Sequence, residues 1–203
     1  FMVTSVRMAA AAVVGGFVMF VCGAVLHVGL ELETRTIGVS SSESQLRQLL
    51  ANQSHSPGFY AFPSLPPELE TAPKAVAEYE LEWMKGPSGI LLVAPTGEAS
   101  MGPVQLLGEL FCNIAACALA CLLLISQGNA SFVRRCFGFL LLAPVSTLTL
   151  TASHVLWYRF PHQFAIDGLW VALVEWSLAG LVMAWILRGR CRVSGDSATL
   201  PLS

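Results

Sequence analysis

Four long apolar stretches constrain this chain more than anything else in its sequence. They run over 8–30, 104–126, 135–154 and 166–187. A helix crosses the hydrocarbon core of a bilayer with about 20 apolar residues, so each stretch approaches or exceeds a full span. Charges within them are few. His27 falls in the first, Glu109 in the second, and Asp167 and Glu175 in the fourth, while Pro144 interrupts the third. A proline is tolerated in a spanning helix because neighbouring hydroxyls can take up freed backbone groups, and Ser146, Thr147, Thr149 and Thr151 are close by. The first stretch is expected to be a retained helix rather than a cleaved leader. Its apolar core exceeds the usual leader length, and no small-x-small site precedes a polar start. A first residue of Phe1 in place of Met is expected of a processed or partial chain.

Composition agrees with spanning helices. Hydrophobic residues make up 55% of the 203 and charged residues 12%, against about 25% charged in a soluble domain. A disordered chain is excluded on that ground, and the formal net charge of −2 excludes nucleic acid as a partner. The expected fold is an all-α membrane protein. Four transmembrane helices carry a small α+β extramembrane lobe at 31–103, between helices 1 and 2, and a polar tail follows over 188–203.

Orientation follows from arginine. With four spans, Arg7, the pair Arg134 and Arg135, and the tail residues Arg188, Arg190 and Arg192 share one side, while the short opposite loop holds only Arg159. The positive-inside rule places both termini on the cytoplasmic or matrix side and the lobe outside. Trp157, Tyr158, Phe160, Phe164 and Trp170 read as an outer interfacial belt, and Trp185 as an inner marker. The setting this implies is a bacterial or mitochondrial inner membrane.

The lobe is too long for a plain connector. Ser40-x-x-Glu43 has the form of a capping box opening a helix through about Asn52. An extended run over Phe59–Phe62 follows, then a helix over about 73–85, then a strand over Ile90–Val93 closed by Pro95. The two strands are expected to pair. Nine glutamates (31, 33, 43, 68, 70, 78, 80, 82 and 98) face Arg35, Arg47, Lys74 and Lys85, and a solvated face accounts for them more simply than a basic partner does.

None of the six cysteines (22, 112, 117, 121, 136 and 191) lies in the lobe, and no Cys-x-x-Cys pair occurs. Zinc and iron–sulfur ligation are therefore not expected, and the intramembrane thiols read as small packing residues. Asn52-Gln53-Ser54 and Asn129-Ala130-Ser131 match the glycosylation tripeptide. Glu109, Asn113, Cys117 and Cys121 recur every four residues beside Cys112, Ala116 and Ala120, a small-and-polar stripe suited to close helix approach. Ala11, Ala12, Gly15 and Gly16 form a similar face on helix 1, as do Ala172, Ala179, Gly180 and Ala184 around Glu175.

Ionisable groups in a span are costly and therefore informative. His27, Glu109, Asn113, His154 and Glu175 all fall in the outer half or at the midplane, where an interhelical polar network could join them. Such a network would hold the bundle together or dock a partner. A proton or ion path through the same groups is an alternative, and axial haem ligation by His27 and His154 a weaker one. No nucleotide loop, metalloprotease motif or nucleophile elbow occurs, so no catalytic residue, metal or cofactor is expected beyond bound lipid. The runs Gly23-Ala-Val-Leu-His27, Pro57-Gly-Phe-Tyr-Ala-Phe-Pro63 and Gly86-Pro-Ser-Gly-Ile-Leu-Leu-Val-Ala-Pro95 resemble uncharacterised bacterial-type integral membrane proteins. The resemblance implies one N-terminal helix, a short outer lobe and three C-terminal helices, with no activity attached. The expectation is a non-catalytic accessory subunit of a larger, energy-transducing membrane complex, with other integral subunits and lipid as partners. A small carrier or redox protein is the rival.

Overall fold

A computed structural model describes residues 2–51, 56–94, 97, 101–125 and 131–188. The residues that carry the first sequon, Asn129 and Ala130 of the second, Cys191, and the tail arginines Arg190 and Arg192 lie outside these. Four helical rods in the structure are long and apolar enough to cross a membrane, covering Ser5–Thr36, Pro103–Leu124, Phe132–Tyr158 and His162–Ile186. That is the architecture of a multi-pass integral membrane protein.

The first rod is α1 (Met2–Ala24), continued by a π turn over Val25–Gly29 and a 3-10 turn over Thr34–Thr36. The lobe follows as α2 (Glu43–Ala51), β1 (Gly58–Phe62), α3 (Pro73–Lys85) and β2 (Gly89–Val93). Next come α4 (Pro103–Ile125), the broken third rod as α5 (Phe132–Leu140), α6 (Leu142–Ser146) and α7 (Ala152–Tyr158), and finally α8 (His162–Ile186). β1 and β2 pair antiparallel, with Gly58 opposite Val93 and Phe62 opposite Gly89. The capping box does not form. The Ser40 hydroxyl accepts instead from the Ser42 N–H, and the helix starts at Glu43, because a serine side chain can close a local turn as readily as a helix end.

The break in the third rod has a local cause. Pro144 supplies no N–H, and the helix beyond it widens into a π turn over Thr147–Thr151. The hydroxyls of Ser146 and Thr147 both donate to the Ala143 carbonyl, at 2.9 and 3.0 Å, and Thr149 donates to Val145 at 2.7 Å.

Helix α1 packs against both α4 and α8, α5 and α6 pack on α8, and α5 also meets the end of α4, where a Cβ at Gly138 would come within 2.6 Å of Leu124. Glycine allows that closeness. A Cβ at Gly16 would come within 2.6 Å of the Ile114 backbone, and one at Gly180 within 2.6 Å of the Phe139 Cβ. The shared core holds Ala11, Met19, Cys117, Cys121, Phe139, Ala179, Met183 and Ala184. Only the C-terminal half of the α4 stripe joins it: Cys117, Ala120 and Cys121 are buried, whereas Glu109 and Cys112 are exposed among the described residues. At the opposite end of the bundle Arg135 donates to the Leu187 carbonyl at the close of α8, and Arg188 lies 4.0 Å over the Phe132 ring. Both stabilise a helix terminus by cation placement.

Candidate functional site

The polar groups of the bundle gather where α1 leaves its helical path. The π turn over Val25–Gly29 widens the last turn, and the chain then folds back through left-handed backbone at Glu31 (φ 54°) and Glu33 (φ 65°). Such conformations are costly for side-chain-bearing residues and persist only where surrounding contacts enforce them. Here the enforcing contacts converge on Asp167.

Asp167 sits on α8 and is 1% exposed. A carboxylate so far from water needs a partner charge and hydrogen bonds to its remaining lone pairs. Arg35 provides the fork: its Nε donates to Oδ2 at 2.8 Å and its Nη2 to Oδ1. Gln163, one turn earlier on α8, donates to Oδ1 at 2.7 Å. The Glu33 backbone N–H reaches Oδ2 at 3.4 Å, which the left-handed turn makes possible. Gly168 completes the fit, since a Cβ there would lie 2.5 Å from the Glu33 carboxylate. The result is a clasp that ties the start of the lobe to the N-terminal end of α8.

The expected network is distributed differently. His27 Nδ1 lies 3.5 Å from Glu33 Oε2 and 3.3 Å from the Leu32 carbonyl, so its company is the clasp. His154 on α7 packs against the rings of Tyr158 and Phe160, with centroids 5.8 and 5.3 Å away. Glu175 lies against α1, where an added Cβ at Gly23 would stand 2.9 Å from its Oε1. Glu109 and Glu33 are both near enough to interact with it electrostatically. Asn113 is half-buried on α4. Among the described residues no hydrogen bond joins Glu109, Asn113, His154 and Glu175 to one another. His27 and Glu33 pair beyond the end of α1, Glu175 lies against Gly23, and Glu33 and Glu109 are both within electrostatic range of Glu175; carboxylates so close in an apolar bundle can hold the structure or pass a cation.

Asp167, Arg35, Gln163 and Glu33 escaped the expected network. The signal was present: an aspartate inside an apolar span demands a cation, and Arg35 is the first basic residue after the C-terminal end of the first apolar stretch. A second link binds lobe to bundle, where Arg159, itself left-handed at φ 57°, stacks 5.3 Å from the Trp83 ring of α3. Among the described residues no three of His, Cys, Asp and Glu converge as a metal site would require. Comparison of the chain with protein families, curated proteins and solved structures returns no match.

Proposed function

We propose that this chain serves as a non-catalytic accessory subunit of a larger membrane complex, respiratory or otherwise energy-transducing. The exposed Glu109 on α4 carries the reading. It lies inside a spanning helix and is exposed among the described residues, on a helix that also exposes Phe111 and Leu119 at 71% and 68%. Lipid accepts the apolar side chains but penalises a carboxylate, whereas a neighbouring subunit can offer it a hydrogen bond or a cation. Other integral subunits are therefore the partners, with lipid over the remaining apolar surface.

Both termini face the cytoplasm or matrix and the lobe faces outward, in a bacterial or mitochondrial inner membrane. Arginine placement supports that orientation. Solubilisation in mild detergent followed by sizing of the native particle tests the subunit reading. The expected result is a particle far larger than 21.7 kDa, and a stable, monodisperse lone chain overturns it.

A small proton or ion carrier is the second reading, favoured by the mutual proximity of Glu33, Glu175 and Glu109. Glu109→Gln separates the two. Lost assembly supports the subunit, while intact assembly with lost proton flux in proteoliposomes supports the carrier. A visible absorption spectrum of the purified protein decides the haem variant, in which His27 and His154 would be the axial ligands.

A further inference from the structure

We propose that Met19, Cys117, Cys121 and Met183 form a buried binding site for a soft monovalent metal ion, Cu(I), where α1, α4 and α8 meet. The inference goes beyond the accessory-subunit reading and holds whether or not the chain assembles with others. Cys117 Sγ lies 3.4 Å from Met19 Sδ, and Cys121 Sγ lies 3.7 Å from Met183 Sδ. The two cysteines stand one turn apart on the same face of α4, which makes their side chains neighbours, with Cβ atoms about 5–6 Å apart. Gly15 draws the pairs together: an added Cβ there would sit 2.7 Å from Met183 Sδ and 3.3 Å from Cys117 Sγ. All four residues are at most 5% exposed.

The donor set selects the ion. Thioethers are neutral and soft, and with thiolates they favour Cu(I) over Zn(II) or the hard divalent cations. Sulfur donors about 2.3 Å from a tetrahedral metal stand roughly 3.8 Å apart, close to the separations already present in the two pairs. Charge suits the surroundings as well. One thiol releases its proton to solvent as Cu(I) binds, so that a single thiolate and a single positive ion leave the centre neutral within an apolar bundle. Motif spacing along the sequence hides such a site, because two of the donors are methionines and three separate helices supply the set.

The full-length protein, purified in detergent without oxygen, is titrated with Cu(I) in competition with a chromophoric Cu(I) chelator. One equivalent is expected to bind, with an X-ray absorption spectrum showing a sulfur-only shell. The paired substitution Cys117→Ser and Cys121→Ser is expected to abolish binding, whereas Cys22→Ser and Cys112→Ser leave it intact. Met19→Leu and Met183→Leu keep the packing volume and decide the matter if the serine variant fails to fold. Each is expected to weaken affinity roughly tenfold or more, as loss of a soft ligand implies. Failure of the wild-type protein to compete for Cu(I), nitrogen or oxygen ligands in the spectrum, or unchanged affinity in both leucine variants overturns the proposal and leaves the sulfurs as core packing alone.

Discussion

Gly16 and Gly108 occupy spanning helices yet face opposite demands. A Cβ at Gly16 would press on the Ile114 backbone, which cannot rotate away, whereas nothing stands within 4 Å of one at Gly108. Gly16→Ala is therefore expected to destabilise the α1–α4 contact by about 1–3 kcal/mol, the usual range for overpacking. Gly108→Ala should be neutral or slightly stabilising, through better helix propensity. Thermal unfolding in detergent measures both. At Asp167 the asymmetry lies between partners. Arg35→Gln strands a buried carboxylate, while Asp167→Asn removes the charge and keeps one acceptor. The thermal midpoint should fall further for the arginine variant, and equal losses would show that the charge pair is not what holds the clasp. These two positions were unequally legible. The run of small residues on α1 announced close packing, but nothing local indicates that Arg35 bends back to α8, since the two partners are 132 residues apart.

Helices set the next level. The broken third rod illustrates how a hydroxyl-rich sequence absorbs a proline: the Ala143 carbonyl accepts from both the Ser146 and Thr147 side chains as well as from the Thr147 N–H. Because that acceptor keeps other donors, Thr147→Val should change stability by no more than about 1 kcal/mol, in line with interhelical and backbone hydrogen bonds in membranes. Helix α4 behaves differently on its two flanks. Cys117, Ala120 and Cys121 are buried, whereas Leu107, Phe111 and Leu119 are mostly exposed among the described residues. Phe111→Ala and Leu119→Ala should leave the isolated chain as stable as before and shrink the native particle. A drop in the chain's own melting temperature would argue that this flank is packed internally. The small-and-polar stripe on α4 pointed to a contact face, and its C-terminal half is one. Its N-terminal half is exposed at Glu109 and Cys112, because sequence periodicity marks which residues share a face but not how far along the helix a neighbour covers it.

At the scale of the whole molecule, a lobe is tethered to a bundle by the Asp167 clasp and by the Arg159–Trp83 stack. Val39, at 92% exposure between the first rod and α2, is a probe of sidedness. With the lobe outside, Val39→Cys in intact cells or right-side-out vesicles should react with a membrane-impermeant maleimide, and labelling only after permeabilisation would reverse the orientation. The sequence by itself determined the number of apolar rods, the presence of a two-stranded element in the lobe, and where small residues would let helices approach. Those are properties of composition and short-range periodicity, so neighbours along the chain suffice to fix them. Only the tertiary structure decided which polar groups met. Asp167 found Arg35, Glu175 settled against Gly23, His27 turned to Glu33, and two cysteine–methionine sulfur pairs formed between α4 and the helices α1 and α8. Each of these depends on helix order and rotation, which are set by packing across the bundle and leave no mark in any single stretch of sequence.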